Sequence, residues 1–215
     1  GYSPTYDNQG NLHLGGYVNY DYPMQGTAYP VTPGSFQMTW GGGTGVNNGP
    51  VFPGQGNGIG YACDMGITKF TPDGTQRIYC TYLGGSDNET PNSLIVDHNG
   101  NLVIYGVSYS ANYPVTAGAY DVSQNGMGDV VVTKLNSTGT ALLGSTFIGG
   151  SGDDGINFDP AEFTRGNLKR NYGDQNRGEV VVEAQNNTSV TSSTKSSNFP
   201  VSANAAQATF GGTQD

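Results

Sequence analysis

The side chains of this 215-residue chain that can exchange protons near neutrality are two histidines, two cysteines and 17 acidic residues. His13 and His98 sit in or beside short D-x-x-G-N segments, at Asp7–Asn11 and Asp97–Asn101. Neither has a metal-ligand spacing or a neighbouring nucleophile that would make it a catalytic base. Acid–base hydrolysis needs two carboxylates in one cleft, and carboxylates are plentiful here, but no spacing selects a pair. Asp153 and Asp154 follow Gly149-Gly150-Ser151-Gly152, an oxygen-rich turn able to approach Ca²⁺. Such an ion takes about six to eight oxygens, which two carboxylates do not supply, so no cofactor is expected beyond a weak structural calcium there. Asp64, Asp129 and Asp215 recur at matching places and are expected to cap turns by accepting backbone N–H groups.

Two loop segments offer binding chemistry. The run from about Met38 to Ala62 carries Trp40, Phe52 and Tyr61 among glycines. Those rings could stack on sugar or anchor a protein partner, or else pin the loop to the body below. The glycines form no phosphate loop, because no Lys-(Ser/Thr) and helix follow. The run from about Ile156 to Asn171 carries Arg165, Lys169 and Arg170, with Arg177 just beyond, a basic cluster suited to an acidic partner or to local ion pairs of small worth. Cys63 and Cys80 flank one hairpin, so a disulfide between them is conceivable in an exported protein, and Cys63 follows an irregular insertion that frees it from a strict register. A turn centred on Asp73 sets Cys80 opposite Gly66 and Cys63 opposite Leu83, about three residues apart and on opposite faces, which is poor geometry for a disulfide.

The elements that position these residues repeat. Tyr29-Pro30-Val31-Thr32 returns as Tyr113-Pro114-Val115-Thr116 and, degraded, as Phe199-Pro200-Val201-Ser202. Pro30 and Pro114 cannot donate to a ladder and mark the chain leaving a strand; the adjoining Tyr29 and Tyr113 are expected to pack between neighbouring repeats. Upstream stands D-x-x-G-N at Asp7, Asp97 and, in shifted form, Asp174–Gly178, giving periods of about 90 and 77 residues. Downstream come an Asp-led apolar run (Asp64–Phe70, Asp129–Leu135), a polar Gly-bearing turn (Thr71–Thr75, Asn136–Thr140) and T-(Y/F)-(L/I)-G-G-S, which ends in Gly84-Gly85 and Gly149-Gly150.

The middle copy shows four strand-like runs, at Ser93–Val96, Leu102–Val107, Val130–Leu135 and Ala141–Ile148. They are rich in the branched and aromatic residues that suit a pleated, half-buried surface. Asp97 opens their first turn, and Asn99-Gly100 suits a type I′ hairpin. No stretch holds a helical period. Four antiparallel strands per repeat, repeated, are the pattern of a β-propeller blade. The fold class is therefore all-β: four-stranded antiparallel meanders, about two and a half to three blades of a larger propeller. Repeat one spans 1–91 with the Gly/Pro-rich insertion, repeat two 92–155, and a partial repeat three 156–215 with the second insertion, all in one array incomplete at both ends. In such a meander the long connections gather on one face, opposite the tight turns, and that face is expected to carry any ligand or partner.

These phrases resemble the SBBP-type, seven-bladed β-propeller repeat of large exported surface proteins of Bacteroidota. VDHNGNLVIYG, YPVTAGAY, GDVVVTKLN and STFIGGSGDD carry the resemblance in copy two, and DNQGNLHLGG, YPVTPGSF, ITKFTPDGT and TYLGGS in copy one. It covers nearly the whole chain. It implies a cell-surface or outer-membrane-associated location, type IX export, and a non-enzymatic structural or adhesive module. Its partners would be other domains of the same polypeptide and cell-surface proteins or glycans. The competing readings are a carbohydrate-binding propeller, a self-assembling filament or sheath component, and a glycoside hydrolase or lyase.

Composition narrows the partners. Net charge is −9 with only 12% charged residues, which argues against nucleic acid, since phosphate binding needs a basic face. No apolar run is long enough to span a bilayer.

Overall fold

The structure, a computed structural model, describes residues 2–19, 29–42, 63–156 and 178–215. These form ten strands and, among the described residues, no helix. Sheet one is a meander of β1 (Tyr2–Tyr6), β2 (Leu12–Asn19), β3 (Cys63–Phe70) and β4 (Arg77–Leu83). Sheet two repeats it with β5 (Glu89–Val96), β6 (Leu102–Ser108), β7 (Asp129–Leu135) and β8 (Leu142–Ile148). Sheet three is the pair β9 (Glu179–Val182) and β10 (Thr188–Thr191). Every described pairing is antiparallel.

The sheets stack face to face. Along β6, Leu102 and Ile104 enter one core cluster with Met65, Ile67, Tyr79 and Leu83 of sheet one. Val103 and Tyr105, the alternate residues, enter a second with Val180 of sheet three. In β7 and β8 the same alternation sends Val131 and Phe147 one way and Val130 and Ile148 the other. Because side chains alternate with period two, a sheet buried on both faces reads as an unbroken apolar run, which is why Leu102–Val107 and Val130–Val132 lack polar breaks. β5 starts four residues earlier than the apolar run suggests; Pro91 is accommodated at an irregularity between Pro91 and Ser93, on an edge strand where no donor is missed.

The tight turns differ from expectation in type. Gly100 N donates to Asp97 O, and Asp97 Oδ1 accepts from both Asn99 N and Asn101 N. Gly100 has φ +81° while Asn99 does not enter the positive region, so this is a type I turn closed by a left-handed glycine, not type I′. Asp174–Arg177, where the shifted copy of this turn is expected, lie outside the described residues; among the described residues the turn returns elsewhere. It lies at Glu183–Asn187, where Glu183 N donates to Asn187 O and Asn186 N to Glu183 O. Asn186, φ 68°, takes the place of Gly100, as asparagine tolerates that region better than other side chains. The second period is therefore about 86 residues, Asp97 to Glu183.

Candidate functional site

The most unusual polar arrangement repeats at each passage from one sheet to the next. Asp64 and Asp129 open the third strand of their sheets. Asp64 Oδ2 accepts from Gly41 N at 2.7 Å and Asp129 Oδ2 from Asn125 N at 2.6 Å; Asp215 makes the same bond with Gly211 N. The expected turn-capping role is thus present in all three copies. At the first two, however, the other oxygen, Oδ1, is buried and has no hydrogen-bond partner among the described residues.

A second carboxyl faces each of these. The fourth strand runs into Gly84-Gly85 or Gly149-Gly150 and then to Glu89 or Asp154. Glu89 accepts from Gly85 N (3.0 Å) and Ser108 Oγ (2.7 Å). Asp154 accepts from Gly150 N (2.7 Å), Ser196 Oγ (2.8 Å) and Thr194 Oγ1. A Cβ placed on Gly84 would lie 2.5 Å from Glu89 Oε2 and 2.7 Å from Asp64 Oδ1, so both carboxyls press on that bare glycine. Gly149 presents the same face to Asp129 Oδ1.

Burial pushes these groups up. The Asp64 carboxyl rises to about 7 and Asp129 to about 6, the latter also repelled by Asp154. Burial takes Glu89 to about 8, with Asp64 adding to the rise against the pull of its hydrogen bonds. A proton on the unpartnered Asp64 Oδ1 would relieve both its repulsion with Glu89 and the missing bond. General acid–base work would need substrate to reach the pair, and all four carboxyl residues are fully buried. Each pair also has a single vacant acceptor, far from a cation shell. Among the described residues no group of three or more His, Cys, Asp or Glu is placed to hold a metal.

The same passage is fastened by serine and asparagine. Ser86 N and Oγ donate to Asn112 Oδ1, and Ser151 N and Oγ to Asn198 Oδ1. Ser110 Oγ accepts from Asp87 N and Ser196 Oγ from Gly152 N. The signal was present in the sequence as S-x-N-(Y/F)-P-V, at Ser110–Val115 and Ser196–Val201.

A third polar cluster surrounds His13. The imidazole is fully buried, with Nε2 3.7 Å from Asp7 Oδ2 and Nδ1 3.5 Å from the Tyr79 hydroxyl. Lys69 Nζ completes it, 2.9 Å from Asp7 Oδ2. Burial, and then the Lys69 charge, pull His13 down to about 4, so it is neutral at pH 7. His98 instead lies at the surface beside the third tight turn, with Nε2 3.1 Å from Glu183 O.

The other expected residues fall as follows. Trp40 is half-buried next to Gly41, which packs on the Gly84 and Gly85 carbonyls, so its ring stands at the root of the insertion. Phe52, Tyr61, Arg165, Lys169, Arg170 and Arg177 lie outside the described residues. Asp154 is spent on the bonds above, and Asp153 Oδ1 accepts from Tyr109 OH at 3.4 Å. Asp97 pairs with Lys134 at 3.2 Å; burial would raise it, but hydrogen bonds from Asn101, Lys134 and Asn186 hold it at about 2.

Cys63 and Cys80 are free, buried thiols. Cys80 faces Thr68 and not Gly66, so the hairpin register is two residues from the expected one. The two cysteines stand five residues apart along the ladder, on opposite faces and about 16 Å apart at strand rise, far beyond bridging distance. Tyr113 is buried between sheets one and two as expected, its hydroxyl 2.9 Å from Thr133 Oγ1 and its ring edge-on to Phe147. Tyr29 repeats the bond, on Thr68 at 2.8 Å, and its ring meets Tyr82 at a tilt of 50°.

No known family model matches the chain, and no curated protein matches it significantly. The repeating geometry, and not kinship, therefore carries the functional reading.

Proposed function

We propose that this chain is a run of β-propeller blades, a non-enzymatic structural or adhesive module of an exported cell-surface protein, presenting its long connections to a protein or surface partner. The observation that carries the reading is the passage between sheets. Its carboxyl pair, Gly-Gly and Ser-x-Asn clasp are built twice from equivalent residues and hold successive meanders face to face. Consecutive antiparallel meanders stacked by one repeated contact are how a propeller is assembled. The polar groups that might suggest catalysis are consumed inside these contacts, which supports a scaffold over an enzyme. The resemblance to SBBP-type repeats adds the surface location.

The test is adhesion. Beads coated with the chain are expected to bind bacterial surface preparations, and replacing residues 43–62 by a short Gly/Ser linker should cut binding by about fivefold or more with unfolding unchanged. Equal binding by the loop-replaced variant would remove the loop face from the account. Carbohydrate binding lost in Trp40→Ala would favour the glycan reading instead.

A further inference from the structure

The repeated phrase Tyr-Pro-Val-Thr-x-Gly places more than an aromatic ring. Its threonine also binds the outer edge of the fourth strand. Thr32 N donates to Cys80 O at 2.8 Å, and Thr32 Oγ1 accepts from Cys80 N at 2.9 Å. Thr116 makes both bonds with Ser145, each at 3.1 Å. Further along, the chain touches the same edge again. Gln37 O accepts from Tyr82 N and Asp121 O from Phe147 N, both at 3.0 Å. The Tyr82 and Phe147 carbonyls are covered by the strands' own threonines, with Thr81 Oγ1 and Thr146 Oγ1 at 2.9 and 3.0 Å. Those hydroxyls in turn accept from Gln37 N and Asp121 N. The Thr of T-(Y/F)-(L/I)-G-G-S is thus the counterpart of the Thr of the Pro-Val-Thr phrase, one on the strand and one on the segment that covers it.

These edges have little other protection. β4 and β8 end their sheets, and no further described strand pairs with them. Residues 78–83 and Leu142–Ile148 carry neither charge nor proline. Exposed runs of that kind template the addition of a strand from another chain. The covering segments do not pass the hazard outward. Between its two touches each makes a turn, with Ser35 N donating to Thr32 O and Ala119 N to Thr116 O. Gly34 and Gly118 hold those turns at φ +80° and +77°, and a Cβ on either would meet no described atom within 4 Å, so the turns stand clear of the body. Pro30, Pro33 and Pro114 remove donors around them. No unbroken row of N–H and C=O groups is left for a neighbour. The cover stops short of Ile78 and Leu143, next along the two edges, which are 40% and 54% exposed.

We propose that residues 32–37 and 116–121 are edge guards: each occupies the outer edge of its own sheet and keeps a second copy of this chain from adding a strand there. A second copy is the partner excluded because β4 and β8 are alike in sequence and in which groups face outward, so uncovered edges could pair with one another. The guards confine contacts between modules to sheet faces and long connections. That role holds wherever the module is displayed.

Amide exchange and light scattering on the whole chain test this together. In the wild type, the outward N–H groups of Cys80, Tyr82, Ser145 and Phe147 are expected to exchange slowly, although each lies on an edge strand. Thr32→Val with Thr116→Val removes both hydroxyl acceptors and should speed exchange at Cys80 and Ser145 about tenfold. Thr32→Pro with Thr116→Pro removes both N–H donors as well, and exchange there should rise about a hundredfold. Both pairs should self-associate beyond the wild-type level as concentration rises, the proline pair more strongly. Adding Ile78→Lys and Leu143→Lys, charges at the uncovered ends of the two edges, should return association to the wild-type level. Unprotected exchange at the four amides in the wild type overturns the proposal. So does faster exchange with no added association, or association that the lysines do not relieve. Contact between the Tyr113 and Phe147 rings, measured in the same samples, tells a freed edge from an unfolded sheet; if the proline pair loses it, the valine pair decides.

Discussion

Stability should fall as pH rises through neutrality, because of the buried carboxyl pairs. Asp64 and Glu89 are raised to about 7 and about 8 in the folded chain, against about 4 when unfolded. A carboxyl whose folded value is raised contributes stability that is full below the unfolded value and lost as pH climbs through the folded one. The loss therefore begins above pH 4, runs at its full slope to about pH 7 and levels off above pH 8, so pH 6.5 to 8.5 covers its upper end. Counting one titration for the coupled pair, with a value near 8, the loss from pH 6.5 to 8.5 is about 2 kcal/mol. Asp129, at about 6, adds only about 0.2 kcal/mol there. His13 acts oppositely. Its value, lowered to about 4, means stability is lost as pH falls through 6.5; between pH 6.5 and 8.5 it adds back only about 0.4 kcal/mol, so the carboxyl loss dominates there.

Asp64→Asn is the informative perturbation. The amide can accept from Gly41 N and donate toward Glu89, supplying permanently what the proton supplies reversibly. Urea unfolding at pH 6.5, 7.5 and 8.5 should show the wild-type loss of about 2 kcal/mol reduced to less than half in Asp64→Asn. A wild-type stability that is flat or rises over this window would refute the reasoning. So would a slope unchanged by the substitution, which would mean another group titrates.

Gly84→Ala should destabilise by about 2–3 kcal/mol in the same assay, since its methyl would collide with the Glu89 and Asp64 carboxyls, whereas Gly144→Ala, with open space around it, should stay within about 0.5 kcal/mol. Tyr113→Phe should cost about 1–2 kcal/mol by removing the hydroxyl that closes the buried chain to Thr133, Ser145 and Pro114 O; a loss under 0.3 kcal/mol would mean that chain carries little. Both thiols should resist a thiol reagent until denaturant is added, and reductant should leave unfolding unchanged; burial pushes Cys63 up to about 12, which also suppresses its thiolate.

Local chemistry wrote the strands and first two tight turns plainly into the sequence. Asp97, Asn99 and Gly100 mark the turn between β5 and β6, and the branched runs mark a sheet buried on both faces. The third turn was illegible because Glu183 and Asn186 do the work of Asp and Gly with different letters. The acidic pairs were hidden for another reason. Asp64 and Glu89, like Asp129 and Asp154, stand about 25 residues apart and meet only when the fourth strand returns and the next sheet begins. What sequence could show was that Asp64 and Asp129 recur; it could not show that Asp64 meets Glu89 across the bare Gly84, or that Asp154 lies near enough to Asp129 to repel it. The cysteine register slipped by two because hairpin loop length fixes register and the Thr71–Gln76 turn holds more residues than a centre at Asp73 implies.

The central claim is that successive meanders stack face to face through repeat-equivalent residues. Proton–proton contacts from nuclear magnetic resonance test it most directly. The account predicts contacts between the Tyr79 ring and Gly139 Hα, with a ring-current shift of the glycine, and between Leu94 methyls and Gly15 Hα, where a Cβ would lie 2.7 Å from Leu94 Cδ1. Intact contacts within each sheet, with neither of these between sheets, would contradict it.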